Sequence, residues 1–179
     1  MTSADPQRDA ATTVAWLIVV NKPFYPLYVW CLGGSALAAC ATLAAMPAFA
    51  ALAWAGRRNS RAIRLGLPLV GLADTLFATK VFGPASGTEL FCFPCLLLAI
   101  LGARADEPHA ARGLVATIFV AFVAAHGHYG APLYAWPPDA LARVFELNVY
   151  SVASLSAFVC LRFAGVARSP PAGPGVVSE

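Results

Sequence analysis

The sequence predicts an all-α fold: a polytopic integral membrane helix bundle of six transmembrane helices, with both termini cytoplasmic. Three observations predict it. Hydrophobic residues make up 59% of the 179 residues and charged residues only 12%, about half the charge share of a soluble domain, too few to coat a water-facing surface. The apolar residues fall in long runs without period-2 alternation, which excludes strands whose backbone would stand unpaired in lipid. The arginines cluster in alternate connections between those runs, the pattern of cytoplasmic loops.

Taken in order, residues 1–21 read as a cytoplasmic or interfacial segment. Asp5, Arg8 and Asp9 leave no positive n-region for a signal peptide, and Val14 to Val20 is too short to span before Asn21-Lys22-Pro23 cuts it off. Residues 22–168 form the transmembrane domain. The stretch Tyr25 to Ala55 is too long for one crossing at ~1.5 Å per residue and predicts a hairpin. Its break is expected near Met46-Pro47, because proline favours a helix's first turn over its interior. Small residues at Gly33, Gly34, Ser35, Ala38 and Ala39 would let the first helix approach a neighbour closely.

The remaining crossings are Ala62 to Phe82, Thr88 to Ala103, Ala111 to His126 and Ala140 to Ala167, each near the ~17–25 residues a span needs. Ser86-Gly87-Thr88-Glu89 matches a capping box opening the fourth helix. Pro137-Pro138-Asp139 reads as a stop followed by an N-cap for the last. Residues 169–179, rich in Pro and Gly, are expected to be a disordered tail. Six crossings put ten Lys and Arg inside and leave Lys80 and Arg143 outside, whereas five give eight against four. The bias favours six, in a bacterial-type inner (cytoplasmic) membrane.

Some functions are excluded. No basic stripe with interleaved aromatics suggests nucleic acid. The five cysteines all lie in apolar runs, which argues against a secreted disulfide framework. No nucleophile elbow, Walker loop or zincin motif occurs. The sequence therefore assigns no catalytic residue, no cofactor and no metal.

The chemistry that remains is polar and intramembrane. Asp74 lies deep in the third run, where a carboxylate is expensive unless neutralised or paired, so it is expected to face the bundle interior. Its candidate neighbours are Thr75 and Asn148, while Lys80 reads as a snorkelling end residue. Topology collects Glu89, His126, His128, Tyr129, Glu146 and Asn148 at the outer face. Asp74, Glu89, His126, His128 and Asn148 are the candidate ligand-binding set. Cys92-Phe93-Pro94-Cys95 is a C-x-x-C near the outer end of the fourth helix, where a helix N-terminus lowers a thiol pKa. That makes a membrane thiol-disulfide oxidoreductase using Cys92 and Cys95 one alternative. A small proton- or metal-coupled transporter is another.

Gly83-Pro-Ala-Ser-Gly-Thr-Glu-Leu-Phe-Cys-Phe-Pro94, read with Asn21-Lys22-Pro23 and Asn148-Val-Tyr-Ser151, resembles the six-helix membrane module that precedes some bacterial adenylate cyclases and sensor histidine kinases. The shared feature is a short outer turn, Ser-Gly-x-Glu-Leu-Phe-x-x-Pro, between two apolar helices, and the resemblance runs from about Asn21 to Ala167. It implies a sensory or regulatory input domain. The chain departs from the pattern after Arg168, where a short Pro/Gly tail stands in place of an output domain, so a signal would pass to a separate protein. The expected partners are the lipid bilayer, a small apolar or amphipathic ligand entering from the outer side, a signalling protein and a second copy of the chain.

Overall fold

A computed structural model describes residues 5–104 and 106–167; Arg168 and the expected disordered tail lie outside the described residues. All regular structure among the described residues is helical, arranged as six rods. The first joins α1 (Pro6–Asn21) to α2 (Tyr25–Cys31) through a 3-10 turn at Lys22–Phe24. The second joins α3 (Ala36–Cys40) to α4 (Met46–Ala55) through a 3-10 stretch at Ala41–Ala45. The third is α5 (Ser60–Phe82). The fourth opens as a 3-10 turn at Thr88–Phe91 and continues as α6 (Cys92–Leu101). The fifth is α7 (Pro108–Ala125) and the sixth α8 (Pro138–Ala167).

Four rods, Ala36–Ala55, Ser60–Phe82, Pro108–Ala125 and Pro138–Val166, are long and apolar enough to cross a membrane, while Thr88–Leu101 is apolar but shorter. Their outward faces carry Phe119, Val120, Val123, Tyr150 and Leu161, all exposed. Lipid satisfies such faces and water does not. The chain is a multi-pass membrane protein.

Local chemistry sets the rod ends. Asp5, Ser35 and Asn59 each accept a hydrogen bond from the amide three residues on, at 3.2, 3.2 and 3.0 Å, satisfying donors that a helix start leaves orphaned. Pro108 and Pro138 occupy first helical positions, where a missing N–H costs nothing. Asp139 accordingly lies in the first turn of α8 rather than at its cap.

Three expectations are corrected. The hairpin turns at Leu32–Ser35 and not at Met46-Pro47. Gly33 takes φ +84°, the Gly34 amide closes on Val29 O at 2.9 Å, and Ser35 caps the next rod. Pro47 falls in the first turn of α4 and leaves the rod continuous. Asn21-Lys22-Pro23 ends α1 but not the rod: Pro23 enters a 3-10 turn whose cap amide, Tyr25 N–H, bonds Lys22 O, and α2 follows. Residues Pro6–Asn21 thus pack into the bundle, with Ala10, Ala11, Val14 and Ala15 buried against Phe49, Ile63, Leu67, Val159 and Phe163. Finally, no capping box forms. Gly87 (φ +78°) precedes the turn, Ser86 Oγ donates to Gly83 O at 2.7 Å, and the Glu89 carboxylate lies elsewhere.

The α1 rod packs on α4, α5 and α8, while α6 sits among α5, α7 and α8. A Cβ at Gly71 of α5 would meet Cys95 Sγ at 2.8 Å, so that glycine sets how closely α6 approaches. At one end the segment 126–137 folds back over α5. Leu133 N–H, Tyr134 N–H and Trp136 Nε1 donate to the carbonyls of Lys80, Val81 and Phe82 at 3.2, 2.9 and 3.0 Å, closing off that helix's orphan acceptors. Lys80 extends to the same segment, donating to Tyr129 O and Ala131 O at 2.7 and 3.0 Å. At the other end Arg64, with a side chain only 1% exposed, binds Glu107 Oε2 at 2.8 Å and Gly102 O at 3.0 Å. Ser60 joins this group to Asp5.

Candidate functional site

The rods enclose a cavity of about 440 Å³ between the first, second, third, fourth and sixth of them, within the ~300–1,000 Å³ of small-molecule sites. Most of its wall is apolar, including Leu67, Phe91, Leu98 and Phe158, and one ion pair stands in it. Lys22 Nζ lies 2.9 Å from Asp74 Oδ1, with side chains 11% and 18% exposed.

Each partner's place follows from backbone chemistry. Lys22 sits at the 3-10 turn between α1 and α2, and Asp74 on the inward face of α5. The ammonium also donates to Thr42 O. That carbonyl is available because Pro47 has no N–H for Leu43 O; the Met46 amide bonds Leu43 O instead of Thr42 O. Phe49 adds its ring 5.8 Å from the ammonium. One lysine thereby ties three rods together.

A chain of polar groups runs from the cavity wall towards the turn between the third and fourth rods. Tyr25 OH donates to Asn148 Oδ1 (3.2 Å), and Asn148 Nδ2 donates to Ser86 O (2.8 Å). Ser86 Oγ meets Thr88 Oγ1 (3.0 Å), which donates to Thr79 Oγ1 (3.1 Å), and Thr79 donates to Thr75 O (2.8 Å). Tyr25, Thr75 and Thr88 also line the cavity. Ser86, Thr79 and Asn148 are fully buried, and the network satisfies them.

A second group lies beyond it. Glu89, buried, holds His126 Nδ1 at 3.1 Å through Oε2 and 3.3 Å through Oε1. The Tyr129 hydroxyl is buried there with no aligned hydrogen-bond partner. Burial first, and the nearby Glu89 charge second, push its ionisation up to about 12, so it stays a neutral phenol.

The five predicted ligand-binding residues therefore do not share one pocket. Asp74 lines the cavity, while Asn148 is an interior strut bonded to Tyr25 and Ser86 and not to Asp74. Glu89 and His126 do meet. His128 is exposed and turns to His126 O at 3.0 Å. Glu146 is exposed and forms no ion pair with Arg143, whose Nε donates to Leu32 O at 3.1 Å. Among the described residues no three His, Cys, Asp or Glu side chains gather as a metal site. Cys92 and Cys95 are free thiols buried against Leu72, Ala99, Leu114 and Ile118, without the electropositive, partly exposed setting that activates a thiolate.

Lys22, Tyr25 and Thr42 are the site residues that sequence reading missed. The available signal was symmetry of need: an intramembrane acid calls for an intramembrane base, and Lys22 stands between apolar runs outside the arginine clusters. Comparison with protein-family models, curated proteins and solved structures finds no match for this chain.

Proposed function

We propose that the chain is a sensory or regulatory module of a bacterial inner membrane, crossing six times with both ends in the cytoplasm. Its central cavity binds a small amphipathic ligand, and the inner ends of its rods pass occupancy to a separate protein. The carrying observation is the Lys22–Asp74 pair standing in a largely apolar cavity. Such a pair contributes little net stability where apolar residues would fit, so its retention points to recognition.

The six-crossing topology is supported by the ends at which the rods place the basic residues. With rods bounded as above, Arg8, Arg57, Arg58, Arg61, Arg64, Arg104, Arg112 and Arg162 fall at one end, against Lys80 and Arg143 at the other, with Lys22 at mid-depth. The outer turn that resembles the sensory module of cyclases and kinases carries the Ser86–Thr88–Thr79 chain against the cavity. The first and third rods are joined twice: at mid-depth by Lys22–Asp74, and at the arginine-rich end by Asp5–Ser60–Arg64–Glu107. A ligand that reorders the first pair shifts the rods against the second, giving the cytoplasmic face two arrangements to report.

The test is native mass spectrometry of protein released from its own membrane, beside the cavity-filling variant Ala78→Phe. The wild type retains a small lipophile that the variant lacks, while both keep their helical signal. A wild type free of ligand, with a melting temperature unmoved by a lipophile panel, refutes the reading. Fluorescent tags on the two ends both report from the cytoplasm; opposite compartments would overturn the topology.

A coupled transporter is the second reading, favoured by the same intramembrane pair. It requires flux driven by a pH gradient in reconstituted vesicles that Asp74→Asn abolishes.

A further inference from the structure

Asp74 does not face the central cavity alone. It also borders a second hollow of about 300 Å³ between the second and third rods, walled by Ala44, Ala45, Ala48, Val70, Ala73 and Phe77. Asp74 is its one polar lining residue. Ala44, Ala48, Ala73 and Phe77 are exposed, and the hollow opens from the middle of two helices that are long and apolar enough to span. Hydrocarbon, not water, lies outside such an opening. Small alanine side chains leave room for an alkyl chain to lie between the rods. The carboxylate is thus a wall shared by a lateral groove and the interior cavity.

The hydrogen-bond inventory of the pair defines what fits between them. Lys22 has three N–H donors and spends one on Asp74 Oδ1 and one on Thr42 O. Among the described residues no hydrogen bond reaches Asp74 Oδ2 or uses the third ammonium N–H. One acceptor and one donor remain. Whether ionised or sharing a proton, the pair carries no net charge. A charged headgroup placed beside Phe49, Leu67, Phe91 and Leu98 would lack a counter-charge and lose its hydration. A hydroxyl brings one O–H donor and an oxygen that accepts, and no charge.

Resting on the reading that the cavity binds an amphiphile, we infer that its ligand is a neutral, hydroxyl-bearing lipophile that enters from the bilayer through the groove between the second and third rods. The hydroxyl donates to Asp74 Oδ2 and accepts from Lys22 Nζ. The alkyl body occupies the apolar part of the cavity.

Three diazirine probes of equal chain length, a fatty alcohol, a primary amine and a carboxylate, test this on the full chain in nanodiscs. Crosslinked peptides are read by mass spectrometry. The alcohol labels cavity residues such as Phe91 and Leu98 at least about tenfold more than either charged probe, and the double variant Lys22→Met/Asp74→Leu loses that preference. Ala73→Phe, which fills the groove, slows labelling by the alcohol without lowering its plateau. Ala116→Phe, adding the same bulk to an exposed position on α7, leaves the rate unchanged. Equal labelling by all three probes, or preference for a charged one, overturns the hydroxyl assignment while leaving the binding site standing. An unaltered rate in Ala73→Phe overturns the lateral route. Labelling confined to lipid-facing residues with every probe removes the binding reading itself.

Discussion

Removing one member of the Lys22–Asp74 pair should harm the protein more than removing both. The two side chains are 11% and 18% exposed and meet at 2.9 Å, so solvent screens them weakly. Asp74→Leu leaves the ammonium with the Thr42 carbonyl and the Phe49 ring. Breaking a buried pair from one side costs about 3–5 kcal/mol, and the low end applies because the Thr42 carbonyl still accepts from the ammonium. A loss of about 3 kcal/mol in a chain of this size lowers Tm by about 6–12 °C. Lys22→Met strands the carboxylate and gives a similar drop. The double variant Lys22→Met/Asp74→Leu replaces the pair with apolar side chains of comparable shape, for which the cost is near zero or reversed. The assay is thermal unfolding in nanodiscs followed by far-UV circular dichroism, for wild type, both single variants and the double. A double variant whose loss equals the sum of the two singles would show that the residues do not act as a pair, and the reasoning about the cavity would fail with it.

Four further outcomes are expected. Arg64→Met, which leaves Glu107 without its buried partner, destabilises by about 3 kcal/mol; Arg64→Lys restores the charge but not the fork and recovers only part of the loss in the same melts. Burial alone would raise the Asp5 carboxyl, but hydrogen bonds from Ser60 and the Arg8 amide, with the charges of Arg104 and Arg64, outweigh it and hold the group below its ordinary 3.8. Because its folded value is the lower one, the stabilisation is complete above the ordinary value and disappears as pH falls through the lowered one; the protection factors of the α1 amides therefore fall on acidification, and Asp5→Asn removes that fall. Gly71→Ala places a Cβ 2.8 Å from Cys95 Sγ and costs about 1–3 kcal/mol of overpacking; a melt in which adding Cys95→Ala brings no recovery would contradict the packing assigned to that contact. A maleimide labels Cys31, exposed beside the turn at Leu32–Ser35, in nanodiscs and spares the buried Cys92 and Cys95, and modification of the latter two before unfolding would support the oxidoreductase alternative.

The third, fifth and sixth rods were legible because each is an apolar run closed by charge, proline or glycine. Ala62 to Phe82, Ala111 to His126 and Ala140 to Ala167 start two or three residues after the observed helices and end within one residue of them, as helix ends allow. The first two rods were not. A run-based reading takes Asn21-Lys22-Pro23 as a stop, since lysine and proline both interrupt hydrophobic helices in isolation. Here a 3-10 turn accommodates the proline, and Asp74, 52 residues away, neutralises the lysine. A contact at that separation leaves no trace in local pattern. Gly33-Gly34 did offer a turn signal, yet small residues in an apolar stretch serve equally for close packing, and only the positive φ at Gly33 separates the uses. Glu89 and His126 were grouped correctly because alternation of rods sends both to one end. Topology alone supplies no distances, so it also admitted His128 and Asn148, which the fold turns to other tasks.

The irregular turns and the ion pair have one cause. A straight α-helix through Thr42 would leave no spare carbonyl for the Lys22 ammonium, because every interior C=O is taken by an amide four residues on. Pro23 removes an amide from the first rod's ladder and Pro47 one from the second's, and 3-10 geometry appears beside each. At the second of these the Met46 amide moves to Leu43 O, and Thr42 O bonds the lysine. A charged side chain inside a membrane bundle needs more than a counter-ion; its remaining donors must also be met. With one N–H on Asp74 and one on Thr42 O, the third is unspent beside an equally unspent carboxylate oxygen. An apolar pair would fill this position at lower cost. The helix irregularities that hold Lys22 and Asp74 in place therefore maintain a donor and an acceptor side by side in the cavity, which is what the proposed binding site requires.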